Sequence, residues 1–177
     1  MKILGIDPGL TNTGYGLISV KNRNYKSLEG GVIRTKSDQS LENRLYSIYS
    51  VIKDIMMEFS PNSVAIEELH SRSRFVKTAI LLGHARGVPM VCASKKNIPV
   101  FEYSARKIKQ SVTGNGTAHK TQVKYMVVKE LKIKNQNLPT DASDALAIAL
   151  CHIYQLKMDE LWLILYLEYY ILKNLII

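Results

Sequence analysis

The first part of the chain contains three apolar segments joined by short connections, and this pattern limits the possible fold more than any other feature. The segment KILGI turns at Pro8-Gly9 into GYGLISV, and LEGGVIRT follows. Runs rich in Val, Ile and Leu that are bounded by glycine and proline are typical of β-strands, and short connections favour antiparallel neighbours. The sequence therefore predicts a three-stranded antiparallel meander.

Helix and strand patterns alternate after this meander. Apolar residues at helical spacing predict a helix from the Ser37–Ser40 cap region to Phe59, which Pro61 ends. SVAIE is predicted as a fourth strand, SRFVKTAILLGHAR as a helix, VPMVCAS as a fifth strand, IPVFEY as a short extended segment, and Ser104–Val112, Ala118–Lys132 and Thr140–Tyr154 as helices. Strand–helix–strand crossovers after a meander predict an α/β fold with a mixed five-stranded sheet and helices on both faces.

The chain is basic, and its positive charge is concentrated in one region. Its 177 residues predict one domain with a core of its own, and 24 Lys and Arg against 15 Asp and Glu give a net charge of +9. Ten basic residues lie between Lys95 and Lys134, against only Glu102 and Glu130. A surface that binds a polyanion and a protein that is merely basic both account for this charge.

The two cysteines and the N-terminus indicate the cellular compartment in which the protein acts. Cys92 and Cys151 lie far apart and form no CxxC pair, which argues against a zinc site and a disulfide framework. The N-terminus MKILGIDPG lacks the succession of regions that makes a signal peptide. We therefore expect a cytoplasmic protein with both cysteines in its core.

Four acidic residues stand where the predicted topology can bring them together. Asp7 and Glu67 end the first and fourth strands, which as parallel neighbours would place both carboxylates at the ligand-binding edge of the sheet. Asp141 and Asp144 share a face at the start of an alanine-rich helix that can pack close to the sheet. Converging carboxylates repel one another unless cations bind between them, and all-oxygen ligation suits Mg²⁺ or Mn²⁺.

Two such ions about 4 Å apart can activate a water and stabilise the leaving oxygen at a phosphodiester. Singly, these acids have ordinary structural explanations, since Asp7 before Pro8-Gly9 is common in turns and Asp141 suits the first turn of a helix. Together, at two strand ends and a helix start, they favour a metal site. Glu68 stays an alternative to Glu67, because the alternation of side chains does not decide where a strand ends.

Basic residues surround a glycine loop in the second half of the chain. Lys109 and Lys120 flank QSVTGNGTAH, whose glycines and Thr117 could bring backbone donors to a phosphate. Together with Arg106 and Lys107, they are predicted to contact the backbone of a nucleic acid.

The C-terminal segment LWLILYLEYYILKNLII is apolar except for Glu168, Lys173 and Asn174. A bilayer span needs about 20 mainly apolar residues, and this segment is shorter and has a charge in its middle, so no membrane association is expected. We expect either a helix that docks on the body or covers an oligomer surface, or a sequence altered at the 3′ end of the gene.

Five stretches, in this order and spacing, resemble the RuvC family of bacterial Holliday-junction resolvases: ILGIDPGLTNTGYG, AIEE, GHARGV, PVFEYSARKIKQSVTGNGTAHKTQV and DASDALAIA. The resemblance ends near Tyr154, so we expect a nuclease domain at 1–155 and an apolar, helical tail at 156–177. It implies a ribonuclease H-like fold, a homodimer, Mg²⁺-dependent symmetric nicking of four-way junction DNA, and partnership with the RuvA–RuvB branch-migration motor.

Carried over by position, the resemblance implies catalytic metal ligands at Asp7, Glu67, Asp141 and Asp144. It implies two Mg²⁺ ions per subunit, for which Mn²⁺ can substitute, and it places Lys109 and Lys120 near the scissile backbone. Some family members have an aromatic residue just after the catalytic glutamate that stacks at the opened crossover. Here His70 is nearest to that place, and an imidazole can stack as well.

Two other functions fit parts of the pattern. An actin- or Hsp70-like ATPase also begins with a glycine-rich hairpin around an aspartate, but it needs two such domains to enclose a nucleotide, and this chain is too short for two. A non-enzymatic DNA-binding module would explain the charge and leave the four acids unexplained.

Overall fold

The computed structural model of the protein describes residues 1–22, 24–69, 76–134 and 138–175, with side chains described as far as Leu167. The strands are β1 (Lys2–Asp7), β2 (Asn12–Lys21), β3 (Asn24–Arg34), β4 (Ser63–Glu67) and β5 (Val100–Tyr103), and the helices are α1 (Leu41–Phe59), α2 (Val76–Lys95), α3 (Ala105–Thr113), α4 (Lys120–Glu130) and α5 (Thr140–Leu175).

The five strands form one mixed sheet in the order β3-β2-β1-β4-β5. β1, β2 and β3 pair antiparallel, which confirms the predicted meander. β4 pairs parallel with β1 on one side and with β5 on the other. The central strand β1 is buried between its end residues, as its continuous apolar sequence requires of a strand covered on both faces.

Helices cover both faces of this sheet, which confirms the predicted layers. On one face, α1 and α2 pack over Leu4, Ile6, Val64 and Ile66. On the other, α3, α4 and α5 pack over Ile3, Ile18 and Ala65. The alternation of side chains along β1 and β4 therefore divides the core into two apolar clusters.

The fifth strand is the main error of the sequence-based prediction. VPMVCAS, predicted as a strand, is the second half of α2, and β5 lies instead in the segment predicted only as extended. A short apolar run cannot be assigned to a strand or a buried helix by periodicity alone, and the proline within it hides the helix. The buried residues of α2, which are Ala85, Pro89, Cys92 and Ala93, nevertheless follow helical spacing.

α5 lies unusually close to the sheet and then continues beyond it. A Cβ atom at Gly5 would overlap the Ala145 carbonyl, and one at Gly14 would overlap the Asp141 carbonyl, so glycine is required at both positions. The same helix runs on to Leu175. The side chains from Leu161 to Leu167 are 49–68% exposed, although Leu161 and Ile164 line a cavity together with Met1 and Val20 of the body. No described helix is long and apolar enough to cross a membrane.

Candidate active site

A pocket of about 190 Å³ lies at the carboxyl ends of β1 and β4. Three acidic and two basic residues line it: Asp7, Glu67, Asp144, Lys109 and Lys120. Its remaining lining comes from α3, α4 and α5 and includes Ile108, Val123 and Ala147. The pocket therefore combines converging charges with an apolar floor, at the sheet edge where parallel strands present their ends.

Strand register explains why Asp7 and Glu67 are neighbours. The parallel ladder pairs Ile6 with Ile66, and each acid is the next residue of its strand. Glu67 lines the pocket, whereas Glu68 is exposed. Of the two adjacent glutamates, Glu67 is therefore the one that reaches the pocket.

Asp144 reaches the pocket from α5, but Asp141 does not line it. The two aspartates lie three residues apart on neighbouring positions of α5, and of the two only Asp144 lines the pocket. Asp141 still contributes to the electrostatic field at Asp7, as the weakest of the acids that do so.

Burial and negative neighbours together make Asp7 a weak acid. The pKa of Asp7 rises from 3.8 to about 7, first because its carboxyl group is buried and then because Glu67, Asp144 and Asp141 are close. Lys120 acts in the opposite direction. At neutral pH, a positive charge close to Asp7 therefore stabilises its ionised carboxylate.

The Lys120 ammonium supplies such a charge in the present arrangement. Its Nζ donates to Asp144 Oδ2 at 3.0 Å, and this bond, with the fields of Asp144, Asp7 and Glu67, raises the pKa of Lys120. Lys120 is the first residue of α4, whose start is fixed by a capping box between His119 and Gln122. The helix start thus holds the lysine over the acids.

The donor set suits a hard divalent cation, because carboxylate oxygens are the ligands that Mg²⁺ and Mn²⁺ prefer. Among the described residues, no group of three or more Asp, Glu, His or Cys side chains is already arranged to hold a metal ion. The three carboxylates of the pocket would have to close around an ion.

The other predicted DNA contacts lie outside the pocket. Arg106 and Lys107 are exposed at the start of α3, next to the pocket-lining Lys109. Arg106 also packs against Gly116 of the glycine loop, where a Cβ atom would meet its side chain. His70 lies outside the described residues.

The prediction that the glycine loop offers backbone donors to a phosphate is wrong for the amides whose bonds the structure gives. The amides of Gly114, Gly116 and Thr117 donate to Gln110 O, Gln110 Oε1 and Asn115 Oδ1 respectively. Because these donors are satisfied inside the protein, the loop serves to join α3 to α4, with Gly114 in the left-handed conformation that ends α3.

Two residues with specific contacts were not singled out from the sequence. His152 of α5 is buried and hydrogen-bonds Ser63 Oγ at 2.9 Å and Tyr103 Oη at 2.7 Å. Arg86 donates to the main-chain carbonyl of Glu67. A charged residue in the otherwise apolar stretch of α2 was the available signal for Arg86.

Comparisons with known proteins identify the family of this chain. The family model described as "Crossover junction endodeoxyribonuclease RuvC" matches residues 3–152. The protein of that name from Legionella pneumophila is 49% identical over 150 residues, which cover 85% of each chain.

Solved structures give the same result. Thermus thermophilus RuvC is 33% identical with a TM-score of 0.82, over 90% of this chain and 97% of that one. T. thermophilus RuvC in complex with Holliday junction substrate is 34% identical with a TM-score of 0.84, over 90% and 96%. These matches confirm the predicted ribonuclease H-like fold, and the chain belongs to the RuvC family of crossover junction endodeoxyribonucleases.

Proposed function

We propose that this chain resolves Holliday junctions in recombination and DNA repair, by metal-dependent, paired and symmetric nicking of the DNA backbone. The observation that carries the proposal is one pocket in which Asp7, Glu67 and Asp144 face Lys109 and Lys120. Membership of the RuvC family gives the substrate class, since the Thermus relative was solved with a Holliday junction.

Within this proposal, Asp7, Glu67 and Asp144 hold Mg²⁺, and Asp141, which does not line the pocket, adds to the negative charge near Asp7. We propose two ions per subunit, for which Mn²⁺ can substitute. When bound, such ions make a water nucleophilic and stabilise the leaving oxygen of a phosphodiester. Lys109 and Lys120 orient the scissile phosphate by charge-assisted hydrogen bonds.

The direct test is digestion of a labelled synthetic four-way junction with Mg²⁺, with a linear duplex of the same sequence alongside. We expect two symmetrically placed nicks in the junction and none in the duplex. Equal cutting of both substrates, or cutting without added metal in EDTA, would contradict the proposal.

Lys109→Ala and Lys120→Ala should each weaken junction binding. The loss of one phosphate contact reduces the slope of log K against log salt by about one unit. Gel-shift titrations in EDTA at several salt concentrations measure this slope. Lys53→Gln, which removes a charge from α1, is the control. Unchanged slopes together with unchanged cleavage rates would mean that the two lysines are not DNA contacts.

The working unit is proposed to be a two-fold homodimer, because one acidic pocket per chain supplies one nick and resolution needs two on opposing strands. We propose the helix segment Thr78–Ala85 of α2 as the interface, because Ile80 within it is exposed, as are Val76 and Val91 elsewhere on the same helix. The tail from Leu161 is the alternative, since the side chains of seven consecutive apolar or aromatic residues, Leu161 to Leu167, are exposed there and contiguous exposed apolar surface marks interaction sites.

Sedimentation at micromolar concentration tests the dimer. We expect Ile80→Glu to dissociate it and deletion of Leu161–Ile177 to leave it intact. Dissociation by the deletion alone would move the interface to the tail. A wild-type species of 20.0 kDa that still makes both nicks in one binding event would contradict the dimer.

We further propose a nuclease domain at 1–155 with a helical extension at 156–177, a cytoplasmic location, and action together with the RuvA–RuvB motor. The family match, which ends at residue 152, supports the boundary. A pull-down of RuvA and RuvB on immobilised junction DNA, with and without this protein, measures the partnership.

A further inference from the structure

Arg86 of α2 joins the ends of two strands beside the candidate active site. Its Nε donates to the main-chain carbonyl of Glu67 at 3.1 Å. Its Nη2 forms an ion pair with the Glu102 carboxylate on β5. The Arg86 side chain is only 14% exposed. Water therefore cannot readily replace the bond to the Glu67 carbonyl, which is partly buried, whereas the Glu102 carboxylate is 39% exposed and keeps access to solvent.

The C-terminal end of β4 needs additional hydrogen bonds, because its ladders with β1 and β5 stop there. Pairing with β1 ends at Ile6 and Ile66, one residue before Glu67. Pairing with β5 ends at Glu67 and Tyr103, followed by one more bond from Glu68 N to Tyr103 O at 2.9 Å. Arg86 therefore adds a bond to the last peptide of β4, at the point where the β1 ladder no longer holds it.

We propose that Arg86 is a positioning residue for DNA cleavage. Arg86 fixes the last peptide of β4 against β5, so that the Glu67 carboxylate stays directed into the pocket with Asp7 and Asp144. This inference rests on the proposed function of that pocket. Arginine suits the task because its planar guanidinium donates from Nε and Nη2 in a fixed geometry, whereas a lysine ammonium has no such fork.

The main test compares Arg86→Gln and Arg86→Lys with the wild type. Loss of a bond that orients a metal ligand typically lowers metal affinity or activity by about 10–100-fold. We expect a loss of that size in the single-turnover cleavage rate and a higher Mg²⁺ concentration for half-maximal rate, with an unchanged junction Kd in EDTA. Lysine should not restore the rate, because the charge alone is not what holds Glu67.

Two measurements do not depend on cleavage. In DNA-free protein, the Mn²⁺ concentration that gives half of the maximal thermal stabilisation should rise in both variants. Hydrogen exchange at the Glu68 amide should become faster, since this amide reports the last bond between β4 and β5. A fold defect elsewhere would instead speed exchange throughout the core.

Glu102→Gln provides a second variant that leaves Arg86 in place. It removes the charge and keeps an acceptor oxygen, so we expect a smaller effect in the same direction. The double variant with Arg86→Gln should be no worse than Arg86→Gln alone, because both act through one contact. Lys53→Gln again removes a positive charge away from the site and should behave as wild type.

The outcomes separate the two proposals. Wild-type rate, Mg²⁺ dependence and Glu68 exchange in Arg86→Gln would overturn the positioning role. If Arg86→Gln does not fold, the folded Glu102→Gln variant decides the question. Wild-type Mn²⁺ affinity and wild-type hydrogen exchange at the Glu68 amide in that variant would overturn the positioning role. Wild-type protein that cuts no junction would reject the proposed function, and the Mn²⁺ and exchange measurements would still decide the role of Arg86.

Discussion

Asp7→Asn is expected to bind four-way junctions as well as the wild type and to cut them about a thousandfold more slowly or worse. Asp7 lines the pocket with Glu67 and Asp144, so its carboxylate is a principal source of the negative charge that would attract a metal ion. Metal ions contribute several kcal/mol of charge stabilisation to a phosphodiester transition state, and about 4 kcal/mol corresponds to a thousandfold in rate.

Binding should survive because the amide removes a negative charge from a surface that meets phosphates. The measurements are single-turnover cleavage in Mg²⁺ and a gel shift in EDTA. Asp54→Asn, the same change at an exposed position of α1, is the control and should match the wild type. Cleavage by Asp7→Asn at the wild-type rate would remove Asp7 from the active site.

The second large effect concerns stability without metal. The pKa of Asp7 is about 7 in the folded protein against 3.8 for the ordinary group. From about pH 4 to pH 7 the folded protein keeps a proton that the unfolded chain has lost. The free energy of unfolding therefore falls over this interval and levels off above it. The loss is of the order of 2–4 kcal/mol, because one pKa unit corresponds to about 1.4 kcal/mol.

Asp7→Asn should remove this loss, since an amide does not ionise among Glu67, Asp144 and Asp141. In EDTA at pH 8 the variant is therefore expected to be more stable than the wild type, and at pH 4.5 nearly equal to it. Mg²⁺ at pH 8 should stabilise the wild type and not the variant. Urea unfolding at the two pH values measures this, with Asp54→Asn as control. A wild-type stability that does not fall relative to the variant between pH 4.5 and 8 would contradict the buried, weakly acidic state of Asp7.

The meander, the layers and the meeting of Asp7 with Glu67 were predictable because each depends on local patterns. Apolar runs ending in an acid place that acid at a strand end, and crossover connections make the two strands parallel. The alanines of α5 likewise predicted its close approach, which the glycines of β1 and β2 permit. In these segments local preference and tertiary packing agree.

The fifth strand and the choice among the acids needed the tertiary structure. The run Val88–Ser94 is apolar enough for either a buried strand or a buried helix, and in the structure it is a helix whose buried residues share one apolar cluster with α1. Whether Glu67 or Glu68 enters the pocket depends on the direction in which the end of β4 turns each side chain, and this direction is a feature of the folded chain. The glycine loop suggested a phosphate site, but hydrogen bonds to Gln110 and Asn115 satisfy its amides.

The sequence by itself determined the fold class, the family and the residue types of the site, because periodicity, turn residues and spacing are properties of the chain. Only the tertiary structure decided which charges touch. Lys120 pairs with Asp144 across 24 residues, and Arg86 with Glu102 and the Glu67 carbonyl across 16 and 19. Such pairs depend on how helices pack against strand ends, and no local preference specifies this packing. The acidity of Asp7 has the same origin, since burial and three neighbouring carboxylates exist only in the folded chain.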